Sequence, residues 1–70
     1  MVLAEIEKNP MEKIMITISE FKKKRYVDLR VYFMNDEMEW RPTKKGITIA
    51  PDLIDQVIDA LKRAKEEFEK

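Results

Sequence analysis

The chain has 70 residues, no cysteine, no histidine and a formal net charge of zero, which limits it to one small domain without disulfides or zinc. A chain of this length buries only about 60 % of the surface its unfolded form exposes, so self-association is the remaining route to a robust fold. Histidine and cysteine are the usual general base and the best nucleophile, and one glycine cannot build a phosphate-cradling loop, so no enzyme is expected.

The first element is a short strand over residues 2–8, with Val2, Ala4 and Ile6 on one parity. Asn9-Pro10 is a turn signal. A second strand over 13–21 alternates cleanly: Ile14, Ile16 and Ile18 share one face, Met15, Thr17 and Ser19 the other. Phe21 continues the more polar row beside a lysine run, a position that core packing explains poorly. Lys22 to Lys24 form the connecting hairpin, and a third strand over 25–34 sets Val27, Leu29, Val31 and Phe33 against Tyr26, Asp28, Arg30 and Tyr32.

Residues 35–38 form a second turn, and a fourth strand spans 39–49, interrupted by Pro42 and the basic loop Thr43-Lys44-Lys45-Gly46. Gly46, the only glycine, is expected where the backbone needs a positive φ or a close approach. Pro51 opens a helix over 51–68, on which Ile54, Val57, Ile58, Leu61, Ala64 and Phe68 form one apolar stripe. The sum is an α+β fold: four antiparallel strands, then one C-terminal amphipathic helix, a single domain over 1–70 with one sheet face or edge left for a second copy.

No apolar run approaches the ~20 residues of a membrane span, and the N-terminus lacks a charged-then-apolar signal pattern, so a cytoplasmic location is expected. Ser19, the only serine, has no apparent base partner. Asp36, Glu37 and Glu39 lack the spacing of a calcium loop and read as a solvated turn, so neither metal nor cofactor is expected.

The zero net charge hides an uneven distribution. Residues 21–50 hold eight basic and four acidic residues; residues 1–20 hold two and four, and residues 51–70 four and six. Lysine-rich hairpin tips and loops are often only solvated. Here, however, two basic loops flank strands carrying Phe21, Tyr26, Tyr32 and Phe33, with Arg30 mid-strand. A positive track for phosphates together with aromatic faces for bases is the way single-stranded nucleic acids are held. Duplex readers instead usually insert a helix into the major groove, and the helix here is acidic early and apolar on one side.

The stretches Ile16-Thr17-Ile18-Ser19-Glu20-Phe21-Lys22, Val27-Asp28-Leu29-Arg30-Val31-Tyr32 and Arg41-Pro42-Thr43-Lys44-Lys45-Gly46-Ile47-Thr48 resemble the positive cofactor four family of transcriptional coactivators, in order across residues 12–62. The resemblance implies a strongly bent four-stranded sheet with a C-terminal helix, dimerised, and single-stranded DNA in basic channels across the sheets. Carried over by position, Phe21 and Phe33 would stack on bases, and Lys22, Lys24, Arg30, Arg41, Lys44 and Lys45 would contact phosphates. Phe33 shares parity with Leu29 and Val31, so a core role competes, and a bulge or strong curvature is needed for Arg30 and Phe33 to reach one ligand. Tyr32 and Trp40 read as structural. Lys23 and Met38 stand where the family commonly has glycine, implying slightly different turn geometry. The long acidic and serine-rich regulatory extension of the animal members is absent here, so its functions are not carried over.

The function expected is sequence-tolerant binding of single-stranded DNA, with RNA or melted duplex as related ligands, by a nucleoid-associated homodimer in transcription, replication or repair. The alternative is an adaptor that docks on the transcription machinery with incidental DNA contact.

Overall fold

The computed structural model describes all 70 residues. Strands β1 (Val2–Asn9), β2 (Glu12–Phe21), β3 (Lys24–Met34) and β4 (Trp40–Ile49) form one antiparallel sheet in the order β1-β2-β3-β4. Helix α1 (Ile54–Phe68) follows a 3-10 turn over Pro51–Leu53. The expected single helix over 51–68 therefore begins with a tighter turn. Proline supplies the fixed φ at its start, and no side chain caps either segment.

β2 and β3 pair without interruption from Glu12↔Phe33 to Phe21↔Lys24. This register stacks Ile14, Ile16 and Ile18 beside Val31, Leu29 and Val27 on one face, as the alternation of their sequences requires. Ile49 and Ile47 of β4, paired with Val27 and Leu29, extend that apolar face, and so do Ala4 and Ile6 of β1, paired with Ile16 and Ile14. Val2 does not join them. A register shift between Val2 and Ala4 pairs Val2 with Thr17, so the bulge turns it to the opposite face.

β4 runs through Pro42 and the basic segment as one strand, where the sequence suggested an intervening loop. Between the pairs Arg30↔Gly46 and Tyr32↔Pro42 it carries two extra residues opposite Val31, a bulge on an edge strand. Pro42, without an N–H to donate, is tolerated at such an edge. The Thr43 hydroxyl takes over the broken ladder: it donates to the Val31 carbonyl at 2.7 Å and accepts from the Lys45 N–H at 3.1 Å. Gly46 has no positive φ. Its requirement is close approach, since a Cβ there would lie 2.5 Å from the Leu29 carbonyl oxygen and 2.9 Å from the Arg30 Cα.

Positive φ occurs instead at Lys22 (52°), Lys23 (67°) and Met38 (64°). Both lysines occupy the two-residue connection closed by Phe21↔Lys24, and positive φ at both central residues is the signature of a type I′ hairpin. In the 35–39 turn, the Asn35 side-chain oxygen accepts from the N–H groups of Glu37 (2.9 Å) and Glu39 (3.0 Å).

The sheet and helix together enclose almost nothing. Ile49 is the only buried residue. The molecule extends over 40 × 39 × 18 Å with a radius of gyration of 14.1 Å, against about 11 Å for a compact chain of this length. The helical part meets the sheet chiefly through the 3-10 turn against β3. α1 thus projects with much of its stripe bare: Leu61 is 61 % and Phe68 88 % exposed, while Ile54, Val57 and Ala64 are half-buried.

Candidate nucleic-acid interface

The residues singled out for ligand contact fall into two groups at opposite ends of the β2–β3 pair. At the end nearest the helix, the tight turn presents Phe21, Lys22 and Lys24. Phe21 shares its face with Ser19 and Thr17 and is 65 % exposed as a residue, with the Lys22 ammonium 5.4 Å from its ring centroid. Lys22, Lys23, Lys24 and Arg25 form no ion pair: the four salt bridges of the chain are Lys13–Glu5, Arg30–Asp28, Arg41–Glu39 and Lys70–Glu67. A flat, accessible ring amid unneutralised cations suits stacking on a base with phosphates alongside.

At the other end, Phe33 pairs with Glu12 on one side and Arg41 on the other. The residue is 40 % exposed, so it lies outside the core despite sharing parity with Leu29 and Val31. The reason is positional: it stands near the end of β3, where the apolar row gives way to Glu12 and Arg41. Arg41 reaches Glu39 at 3.3 Å in an exposed pair, a geometry that contributes little and leaves the guanidinium competent for other anions. Lys45 lines a shallow groove with Ile14, Leu29, Val31 and Ile47, and Lys44 stands beside it in the β4 bulge; neither is paired.

The Glu12 carboxyl at this end is held below the usual carboxylate range. The Asn9 side-chain amide donates to it at 2.9 Å, the largest cause, and the charges of Lys8 and Lys45 add to it.

The two groups do not meet on one surface of a single chain. Nine residue steps of extended strand separate Lys24, the partner of Phe21, from Phe33, roughly 30 Å at the usual rise. Because the β2–β3 register is unbroken, Arg30 and Phe33 also keep opposite parity; the bulge that could have reconciled them lies in β4.

Arg30 has a structural task of its own. Its Nε and Nη2 donate to the two Asp28 carboxylate oxygens at 3.1 and 3.0 Å, and its Nη1 donates to the Thr43 carbonyl at 2.9 Å. This fork pins the β4 bulge to β3, and the bond to Asp28 pushes the guanidinium pKa up from an already high value. Two of its five N–H donors remain for an anion. Asp28 is the residue the sequence reading left without a role. The signal was present in its spacing, since residues i and i+2 of a strand share a face. Tyr32 and Trp40 are half-buried, and Lys13, ion-paired to Glu5, lies 4.4 Å from the Trp40 ring centroid, consistent with structural roles.

No three Asp or Glu side chains come together in the way a metal site needs, and no helix is long and apolar enough to cross a membrane.

Residues 8–60 match the sequence model of the family described as Transcriptional Coactivator p15 (PC4). Among solved structures, the fold is similar to that of a PC4 homolog from Burkholderia pseudomallei, at 33 % identity and a TM-score of 0.90, over 96 % of this chain and 90 % of that one. A second crystal form of the same homolog gives 32 % identity and a TM-score of 0.88, over 93 % of this chain and 96 % of that one. A bacteriophage T5 homolog of the eukaryotic coactivator PC4, implicated in recombination-dependent DNA replication, aligns at 25 % identity with a TM-score of 0.78, over 99 % of this chain and 80 % of that one. No curated protein sequence gives a significant match.

Proposed function

Because the chain belongs to the family of Transcriptional Coactivator p15 (PC4), we propose that it is a homodimeric, sequence-tolerant single-stranded DNA-binding protein acting in transcription or in DNA replication and repair. The observation that carries the ligand is Phe21: an aromatic residue 65 % exposed at the foot of a hairpin whose four cations have no acidic partner. Stacking on such a ring tolerates any base, and the cations neutralise phosphates, so affinity arises without a base-edge code. The patch of Phe33, Arg41, Lys44 and Lys45 offers the same chemistry at the far end of the sheet, and a second copy repeats both patches.

Surface area supports the dimer. A compact monomer of 8.4 kDa is expected to expose about 4,600 Å², whereas this chain exposes 6091 Å². The excess, roughly 1,500 Å² per chain, suits the interface of an obligate homodimer. A second copy on the α1 stripe occupies the surface a docking adaptor would need, which favours DNA binding over the adaptor reading. The phage homolog implicated in recombination-dependent DNA replication is in keeping with a role on unpaired strands.

The test is fluorescence anisotropy with labelled single- and double-stranded oligonucleotides across a salt series. Single-stranded binding is expected to dominate and to weaken steeply with salt. Phe21→Ala is expected to lose about 1–3 kcal/mol of binding with the salt slope nearly unchanged. Tighter duplex binding, or a Phe21→Ala variant equal to wild type, overturns the reading.

A further inference from the structure

The hairpin tip combines two unfavourable features. First, Lys22 and Lys23 both take positive φ, 52° and 67°, in a two-residue connection whose second position strongly favours glycine. A lysine there brings its Cβ toward the following carbonyl oxygen, a strain glycine would relieve. Second, Lys22, Lys23, Lys24 and Arg25 repel one another with no carboxylate in ion-pair range. Even Glu20, in register with Arg25, makes no bond to it. Backbone strain that the surroundings hold in place concentrates at functional positions, and clustered like charges are relieved by a polyanion.

We propose that Lys23 is a phosphate-contacting residue of the hairpin, and that its charge is kept there at the expense of turn stability. The inference rests on the reading that a single strand passes over Phe21. Two residues from Phe21, the Lys23 Cα lies within about 7 Å of the Phe21 Cα. That spacing is shorter than the roughly 8 Å screening length at physiological salt, so a charge on the hairpin tip still acts at the Phe21 site. The turn directs the backbone, and the flexible four-carbon stem of lysine supplies the remaining reach. The competing role is a lysine that serves only solubility.

Three variants of the full chain separate these roles: Lys23→Gly, Lys23→Asn and Lys23→Arg. Each is followed by thermal unfolding and by anisotropy with a fluorescent oligothymidylate between 50 and 200 mM salt. Lys23→Gly and Lys23→Asn are expected to raise the melting temperature, because both residues accept positive φ. The same two are expected to weaken oligothymidylate binding and flatten the log–log salt slope by about 0.7, the loss of one contact on a single strand. That slope change makes the salt penalty between the two concentrations roughly 2.5-fold smaller. Lys23→Arg is expected to keep the wild-type slope and gain no stability.

An unchanged slope in Lys23→Gly, alongside weakened binding by Phe21→Ala, overturns the Lys23 assignment and leaves the DNA-binding reading standing. A melting temperature that does not rise in Lys23→Gly overturns the stability trade-off. Wild-type protein with no salt-sensitive oligothymidylate binding overturns both readings together.

Discussion

The sheet and the helix answer the same composition in opposite ways. Every strand has a hydrogen-bonded neighbour within the chain, and the β2–β3 ladder runs ten residues without a break. The helix has its internal ladder and little else: only Ile54, at the start of its stripe, faces Ile18 and Val27 of the sheet, Ile58, Leu61 and Phe68 stay exposed, and none of its residues is buried. Isolated helices of about 15 residues are marginal in water, and protein helices depend on packing an apolar face. The sheet therefore specifies its own pairing, while the helix requires something outside the chain. In the dimer proposed above, the second copy supplies it.

Breaking that dependence should produce the largest effect. Leu61→Asp, placing a carboxylate in the exposed stripe, is expected to convert a two-chain species into single chains. It should also remove more than about 4 kcal/mol of stability, the range associated with buried unpaired charge. Sedimentation velocity and urea unfolding at several protein concentrations read both quantities, and the wild-type midpoint should rise with concentration. Arg63→Asp, off the stripe, serves as the matched control and should stay within about 0.5 kcal/mol of wild type. A Leu61→Asp chain that remains two-chain, or a wild-type midpoint independent of concentration, would place the stripe outside any self-interface.

Within the sheet the corresponding weak point is Gly46. A methyl group there meets backbone at 2.5 and 2.9 Å, and backbone yields less readily than the end of a side chain. Gly46→Ala is expected to lower stability by about 1–3 kcal/mol, the usual range for overpacking, without changing the number of chains. Since the displaced strand carries Lys44 and Lys45, single-stranded DNA binding should weaken as well. An unshifted urea midpoint would mean that β4 relaxes freely around the bulge.

The same contrast explains what was legible in the sequence. Ile14, Ile16 and Ile18 against Val27, Leu29 and Val31 announce two paired strands because one buried-type row fixes register. The 3.6-residue recurrence from Ile54 to Phe68 announces the helix equally well. Bulges leave no such trace. The one beside Val2 reverses that residue's face, and the one opposite Val31 lets β4 continue through a segment whose proline and lysines read as loop. The placement of Phe33 depends on where the apolar row ends, which is a property of the assembled sheet. The sequence singled out Arg30 as a phosphate contact, and what the structure adds is its fork on Asp28 and Thr43, which clasps the bulge. Phe21 and Phe33 stand apart within one chain for a simple reason: an unbroken strand cannot bring its two ends together.

The smallest effect sharpens the comparison at the end of the sheet farthest from the helix. The Glu12 carboxyl is lowered first by the Asn9 side-chain amide, then by Lys8, and last by Lys45. A depressed carboxyl pKa adds stability that is present above its unfolded value and lost as pH falls through the folded one. On a half-buried, water-accessible carboxyl that contribution is slight, and the titration itself is the better observable. Asn9→Ala is expected to raise the Glu12 pKa toward the ordinary value, and Lys45→Ala to raise it less, as followed by carboxyl-carbon NMR. A single strand lying on Phe33, Arg41 and Lys45 brings phosphate charge beside Glu12, which opposes its ionisation. Adding oligothymidylate should therefore raise the Glu12 pKa in the wild-type protein. If the titration is the same with and without the oligonucleotide, the far patch does not touch the strand, and the interface contracts to the Phe21 hairpin.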